Sequence, residues 1–406
     1  MCIKTVITSD LDSLTVRPTT GVQRAGIVGG REDMRMSAVA RARGLLLSVC
    51  LCTVAMMVIP VAGVDTLPES VFIDGVPLYQ QIDAKGCGAV SLQMVFDYYG
   101  EFVDQKEIYN AARSGGTALP DVARAAQFSS LSTTAGSRWP NSVVTGYTGR
   151  DVGYAGLYYA STEPWLEEMK CVLAQGYPVI VLVYWLPEWY SGDHYRVVVG
   201  YDDAEGVLLI NDGWSREFKA DHDYQGSTSQ SASENAWDTD FAPIKWTYED
   251  FLDTWTCDTS NWGVPGLMYG AAFVTPWEVD ISAPTRVAPG EKFEVSATIT
   301  YPCVAPFGSD AFPKFPADSF SAVLETTTGM NICKAPDLSA MDAFEAGETV
   351  TLCWEMCACK NEGVYSFDIA ASGLVSGSMD AWKDYPAYDY QDLIGGEASF
   401  VVEVAA

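Results

Sequence analysis

The chain has 406 residues, of which 48% are apolar and 12% aromatic, so it can bury about two sizeable cores and is not a disordered protein. Its formal net charge of −29 excludes nucleic acid as an expected partner, because binding phosphate groups requires clustered lysine and arginine. Acidic residues spread along a chain are more typical of a solubility adaptation than of a binding device.

The amino-terminal region has the pattern of an export signal. Residues 1–35 are polar and aperiodic, and we assign them no fold. Residues 36–64 begin at a second candidate start, Met36, continue with two arginines and end in an uncharged apolar run from Leu45 to Val64. Such a segment is either a cleaved signal or an uncleaved membrane anchor. We therefore expect a secreted or extracellular protein, with membrane contact only through this segment if it is retained.

The next region, residues 67–276, opens with a cysteine at the start of a predicted helix. An apolar stripe of period 3.6 follows Cys87 and ends at Gly100, a residue typical of a helix C-terminus. A thiol at a helix N-terminus faces unpaired N–H groups and the positive end of the helix dipole, which stabilise negative charge on sulfur. Cys87 is therefore a candidate nucleophile; the alternative is a small buried apolar residue.

The rest of this region changes from helical to strand periodicity. Helices are predicted over 104–113, 119–128 and 163–175, and a loop is predicted over 129–162. Residues 178–185 are continuously apolar and β-branched, which is typical of a strand buried on both faces. With 194–201 and 207–210 as the next two strands, we predict an antiparallel meander.

Two polar side chains lie at one end of this meander. His194 begins the second strand and Asp212 follows the third, so a tight turn between the strands brings both to the same sheet end. A cysteine hydrolase needs such a pair, because the imidazole takes the thiol proton and the carboxylate orients the imidazole. Asp212 could also be a turn former in Asn-Asp-Gly. The second histidine, His222, lies in a polar stretch that predicts a solvated loop.

Short motifs over about residues 70–275 resemble the papain-like cysteine peptidases related to the double-glycine leader peptidases of bacteriocin exporters. In chain order they are Val76-Pro77-x-x-x-Gln81, Cys87-Gly88, a helix ending Tyr98-Tyr99-Gly100, Leu173-x-x-Gly176-x-Pro178, His194-x-x-Val197-Val198-Val199-Gly200-Tyr201-Asp202, Asn211-Asp212-Gly213-Trp214 and Tyr248 to Trp255. The chain departs from the family at Ala89 and Gly213, where proline is common.

The resemblance implies an α+β fold with a papain-like cysteine peptidase domain over residues 67–276. It makes Cys87 the nucleophile, His194 the general base and then acid, Asp212 the orienting carboxylate and Gln81 the oxyanion-hole side chain. It implies hydrolysis of a peptide or isopeptide bond in a peptide or protein substrate through an acyl-enzyme, with no cofactor and no metal.

Two alternatives remain open at this stage. An acyltransferase or amidase would use the same residues, and a surface recognition module would keep the fold without catalysis. The chain lacks the ATP-binding motifs of exporter-linked relatives, so no transport role is indicated.

Residues 277–406 follow a period of two, which predicts an all-β, immunoglobulin-like sandwich domain. The alternating apolar residues are Phe293, Val295, Ala297 and Ile299; Val350, Leu352, Trp354 and Met356; Tyr365, Phe367, Ile369 and Ala371; and Phe400, Val402 and Val404. We expect this domain to position the enzyme or to bind a cell-surface ligand; a passive spacer is the alternative. A chain that ends near Pro276 is expected to fold alone.

The cysteines indicate disulfide bonds, because an exported chain meets an oxidising environment. Cys171 and Cys257 could pair with each other. The sandwich has five cysteines, enough for two bridges, and the alternation places Cys353 and Cys357 on its outer face with Cys359 as the expected unpaired thiol.

Overall fold

A computed structural model describes residues 67–82, 85–113, 117–133, 150–186, 189–213, 243–259, 266–302, 315–326, 329–381 and 385–406. The polar leader of residues 1–35 and the apolar segment of residues 36–64 lie outside the described residues. Within the described ranges, no helix is both long and apolar enough to cross a membrane.

The first region is a mixed layer of helices and one antiparallel sheet. Its helices are α1 (Cys87–Tyr98), α2 (Gln105–Ala111), α3 (Leu119–Gln127), α4 (Leu166–Ala174) and α5 (Tyr248–Trp255). Its strands are β1 (Ser70–Phe72), β2 (Ala155–Ser161), β3 (Val179–Leu186), β4 (Trp189–Asp202), β5 (Val207–Asn211), β6 (Ile244–Thr247) and β7 (Met268–Thr275). The sheet order is β2-β7-β3-β4-β5-β6, with β1 paired to β4.

Strand β3 is buried on both faces, as its continuous apolar sequence predicts. Ile180 and Leu182 face the core that contains α1, α2 and α3. Val179, Val181 and Val183 face the opposite core, which contains α4 and α5. The antiparallel pairing of β3 with β4 and of β4 with β5 confirms the predicted meander. The prediction that His194 begins the second strand was wrong, because β4 begins at Trp189 and His194 is buried within it.

Helix α1 confirms the predicted helix over the Cys87 segment. It begins at Cys87 after Gly86, and Gly100 follows its end with a positive φ of 86°. The side chains from Ala89 to Phe96 are buried, so this helix is central rather than superficial. Helix α1 lies between the sheet and helices α2 and α3, and Cys87 at its amino-terminal end is only half-buried.

The predicted loop over residues 129–162 was partly wrong, because its carboxyl part is the edge strand β2. This strand pairs with β7 and passes closely over α3. A Cβ atom on Gly156 would lie 1.9 Å from the carbonyl oxygen of Ala123. The close approach requires a small residue, which weakens the strand pattern in the sequence. Residues 134–149 lie outside the described part of the chain.

The second region consists of two sheets around one shared core. The four-stranded sheet has the order β12-β14-β10-β8 and the five-stranded sheet the order β13-β11-β15-β16-β9. The strands are β8 (Glu278–Ser282), β9 (Arg286–Val287), β10 (Lys292–Thr300), β11 (Ala317–Thr326), β12 (Asn331–Lys334), β13 (Ala343–Phe344), β14 (Thr349–Cys357), β15 (Gly363–Met379) and β16 (Tyr388–Val404).

The four predicted strands of the second region are present as β10, β14, β15 and β16. Their alternating apolar residues face the core, where Val295, Trp354, Ile369 and Val402 are buried together. Five further strands were missed because they are short or lack strict alternation, and the immunoglobulin-like type of this sandwich stays a prediction.

The cysteine pairing differs in part from the expectation. Cys333 and Cys357 form a disulfide bond that joins β12 to β14, and Cys353 is exposed on the same strand, as the alternation predicts. The pairing of Cys171 with Cys257 is not formed, because the buried Cys257 thiol instead donates a hydrogen bond to Asp193. Cys303 lies outside the described residues.

The long hairpin of β15 and β16 reaches the first region and contacts α3. Arg124 on α3 lies 3.3 Å from Asp392 on β16, and the Ser132 hydroxyl also donates to that carboxylate. Gly153 exchanges backbone hydrogen bonds with Leu393 and Gly395. A chain that ends near Pro276 would lose these buried partners; its ability to fold alone stays a prediction.

Replacing Asp392 by alanine is expected to destabilise the protein by about 3–5 kcal/mol, because it leaves Arg124 buried without its carboxylate. Asp389, exposed on the same strand, is the matched control, and its replacement by alanine should cost less than about 0.5 kcal/mol. Urea unfolding followed by tryptophan fluorescence measures both. Equal stabilities of the two variants would contradict a buried ion pair at this contact.

Candidate active site

The structure brings three of the predicted site residues together from three elements. Cys87 is the first residue of α1, His194 lies on β4, and Asp212 follows the end of β5. His194 Nε2 donates to Asp212 Oδ1 at 2.6 Å, and the imidazole also hydrogen-bonds the Cys87 side chain. Since Nε2 is occupied by the carboxylate, Nδ1 is the ring nitrogen left to accept the thiol proton.

The electrostatic surroundings of His194 favour its charged form. Burial lowers the pKa of the imidazole, and the nearby Arg196 guanidinium lowers it further. The Asp212 carboxylate, together with the hydrogen bonds to Asp212 and Cys87, raises it and outweighs both. The pKa of His194 is therefore above its usual value, which suits a group that must hold a proton taken from a thiol.

The loop that carries Gln81 is hydrogen-bonded to α2 and to the segment that follows β5. The Gln81 N–H donates to the carbonyl of Gly213 at 3.3 Å, and the Gln81 side chain is fully buried. Gln105 on α2 accepts from the Ile82 N–H at 2.7 Å and donates to the Gln80 carbonyl at 3.1 Å. The loop is therefore fixed on either side of Gln81.

Gln81 also lies next to the start of the Cys87 helix. A Cβ atom placed on Gly86 would be 3.5 Å from Cβ of Gln81. Asn211, the residue before Asp212, donates to the carbonyls of Val76 and Pro77 at 3.1 and 3.3 Å. All four predicted site residues thus come from segments that contact one another, and Asn211 has a structural partner of its own.

The departure from the family pattern at Gly213 has a steric reason. A Cβ atom at this position would lie 2.5 Å from Cγ1 of Val90 on α1 and 3.2 Å from the carbonyl oxygen of Tyr79. A side chain at residue 213 would therefore push the Asp212 segment away from the Cys87 helix. At the helix start, a Cβ atom on Gly88 would likewise lie 3.2 Å from Thr117.

No group of three or more His, Cys, Asp or Glu residues within the described ranges could hold an ion. His222 lies outside those ranges, so its predicted loop environment stays a prediction.

Comparison with known proteins finds a family model that matches this region. Residues 73–240 match the model of the Peptidase_C39 like family. The chain contains a C39-like, papain-like peptidase domain. The match spans the four predicted site residues and covers less than half of the chain, so it says nothing of residues 277–406. No curated protein matches the sequence.

Two solved structures are similar to parts of the chain. One is the peptidase domain of Streptococcus ComA, a bi-functional ABC transporter involved in a quorum sensing pathway. Its sequence is 18% identical and its TM-score is 0.29, and the match covers 50% of this chain and 98% of that chain. The other is alpha-2-macroglobulin from Escherichia coli, from domain MG7 to the C-terminus, with 15% identity, a TM-score of 0.20, and coverage of 32% and 16%.

Sequence reasoning missed Arg196, which contacts the site of the C39-like domain directly. Its Nε donates to Asp212 Oδ2 at 2.7 Å, so the carboxylate bridges His194 and Arg196. The available signal was the spacing of His194 and Arg196, because residues two apart on a strand share a face. Arg196 is buried on β4 directly before the apolar run of Val197, Val198 and Val199.

Replacing Gly213 by alanine is expected to destabilise the protein by about 1–3 kcal/mol and to weaken the hydrogen bond between His194 and Asp212, because the new methyl group collides with Val90. Thermal unfolding measures the first effect. The downfield proton NMR signal of the His194 ring N–H measures the second, and the chain has only two histidines to assign.

Gly86 is the matched control, since a methyl group there meets neighbouring atoms no closer than 3.5 Å. Its replacement by alanine should leave the His194 signal in place. An unchanged signal in the Gly213 variant would show that the close approach to α1 does not hold Asp212.

Proposed function

We propose that the protein is an exported cysteine hydrolase that cleaves peptide or isopeptide bonds. The observation that carries this proposal is the hydrogen-bonded series of Cys87, His194 and Asp212 inside a region that matches the C39-like family. Thiol, imidazole and carboxylate in this order are the groups that nucleophilic acyl transfer requires.

In the proposed first step, His194 takes the proton of Cys87 and the thiolate attacks the carbonyl carbon of the substrate. The negative charge then develops on the carbonyl oxygen. The backbone N–H of Cys87 and the Gln81 side-chain amide are the proposed donors to this oxygen, each worth about 10²–10³ in rate. The buried loop that holds Gln81 supports this role, because preorganised donors need no rearrangement during the reaction.

In the proposed second half, His194 gives its proton to the leaving amine and the acyl group remains on Cys87. A water molecule then attacks the acyl carbon while His194 accepts its proton. Return of that proton to sulfur releases the acid product and restores the thiol. Asp212 stays ionised throughout and keeps the imidazole oriented, which its hydrogen bond to Nε2 supports.

We further propose that residues 277–406 position the C39-like domain or bind a ligand on a cell surface. The close contacts of its long hairpin with α3 support a fixed arrangement of the two regions. Export rests on the arginine-flanked apolar segment of residues 36–64. A non-catalytic recognition module has less support, because it would not need a buried carboxylate aimed at a histidine beside a cysteine.

Labelling with a peptide vinyl sulfone tests the nucleophile. We expect the reagent to modify Cys87, and the Cys87→Ala variant to lose hydrolysis on the order of 10⁶-fold while it stays folded. His194→Ala should lose nearly as much, and Asp212→Asn about 10⁴-fold. Cys257→Ala is the control, because its buried thiol bonds Asp193 and should not react. Retained activity in Cys87→Ala would end the cysteine-hydrolase proposal.

The pH dependence tests the role of Asp212. Since Asp212 raises the pKa of His194, the imidazolium persists above its usual pH range and activity should fall only as the pH rises through that raised value. Asp212→Asn removes the charge that raises this pKa, so the alkaline limb of the pH–activity profile should move to lower pH. The rate of vinyl sulfone addition to Cys87 against pH measures this limb, and an unmoved limb would remove Asp212 from the mechanism.

A further inference from the structure

We propose that Arg196 is a positioning residue of this site. It binds Oδ2 of the Asp212 carboxylate and so keeps Oδ1 directed at His194. The inference rests on the proposed cysteine-hydrolase function and deepens it. Nothing in the family motifs of this chain points to an arginine at this position, and the role is drawn from the contacts alone.

The guanidinium of Arg196 is itself fixed on three sides. Its Nε donates to Asp212 Oδ2 at 2.7 Å, while its two Nη atoms donate to the carbonyls of Tyr184 at 3.2 Å and Trp185 at 2.6 Å. Its Cζ lies 4.4 Å from the ring centre of Trp246, and the residue is 1% exposed. A planar group held in this way defines the plane in which the carboxylate can lie.

The strand arrangement aligns the two donors with one acceptor. His194 and Arg196 are two residues apart on β4 and so share a face. Asp212 follows β5, whose last residue, Asn211, pairs with Val197. One carboxylate therefore spans the gap between the imidazole and the guanidinium, with one oxygen for each.

The charge of Arg196 matters most when His194 is neutral. A buried carboxylate is costly unless a partner compensates its charge. The imidazolium supplies that compensation only while it holds the thiol proton, and it loses the proton to the leaving amine. Arg196 keeps its charge at every stage, so Asp212 is paired throughout the cycle.

The same charge opposes the imidazolium. The groups that act on His194 are Asp212, Arg196 and Cys87, and among them Arg196 lowers the pKa of the imidazole while Asp212 raises it. A more acidic imidazolium gives its proton to a leaving group more readily. Arg196 thus limits how strongly Asp212 can hold the proton on His194.

The test compares Arg196→Met, Arg196→Lys and a control, Arg150→Met. Arg150 is buried in the same domain and bonds the carbonyls of Ala126 and Phe128. Each full-length variant is treated with a peptide vinyl sulfone over a range of pH, and the labelled residue is mapped. Addition of the Cys87 thiolate to the vinyl sulfone forms a carbon–sulfur bond, and the resulting carbanion takes its proton from His194. The fall of the labelling rate at alkaline pH therefore reports the loss of the proton from the His194 imidazolium.

In Arg196→Met we expect a maximal labelling rate roughly 10-fold to 100-fold lower, an unchanged half-saturating concentration and an alkaline limb moved to higher pH. This direction is opposite to that expected for Asp212→Asn. Arg196→Lys keeps the charge but cannot hold the carboxylate and both carbonyls together, so its limb should stay in place while its maximal rate falls. Arg150→Met should leave both limb and rate unchanged.

A limb that does not move in folded Arg196→Met would overturn the inference, as would wild-type rates in Arg196→Lys. If Arg196→Met does not fold, Arg196→Lys decides the question alone through its maximal rate. Mapping of the labelled residue distinguishes a failure of the cysteine-hydrolase proposal from a failure of the proposed role of Arg196. Label on a residue other than Cys87 in the wild-type protein rejects the hydrolase itself, whereas label on Cys87 with an unmoved limb rejects only the role of Arg196.

Discussion

The buried carboxylate of Asp212 is the constraint on which the site depends. Its two oxygens face two donors from β4, so the β4–β5 pairing must hold its register to within one residue. The next residue must be a glycine, because α1 passes too closely for a side chain. The helix that carries Cys87 is thus placed by the same short segment that carries the carboxylate.

The sheet can hold this geometry because it is packed on both faces. Strand β3 separates the core of α1, α2 and α3 from the core of α4 and α5. The carbonyls of β3 residues Tyr184 and Trp185 then serve as acceptors for Arg196. Interiors packed to this extent deform little, which keeps the relative positions of the site side chains within narrow limits.

Local patterns were enough to predict α1, the meander, and the placement of Cys87 at a helix start and Asp212 after a strand, whereas Gln81 was suggested by the family resemblance. They act over short separations, where periodicity and turn residues decide the structure. What was missed depends on contacts between distant segments. Strand β2 has a weak sequence pattern because its contact with α3 requires the small Gly156. Arg196 acts on Asp212, which only the pairing of the strands brings near it. The buried pair of Arg124 and Asp392 joins residues that no local pattern connects.

The contact of the β15–β16 hairpin with α3 sets an order for folding during synthesis. Asp392 follows Arg124 by 268 residues in the chain. Until the ribosome has added β16, the guanidinium has no carboxylate at this contact, and Gly153 lacks its backbone partners in the hairpin. The nascent first region therefore lacks these buried partners until β16 has been translated.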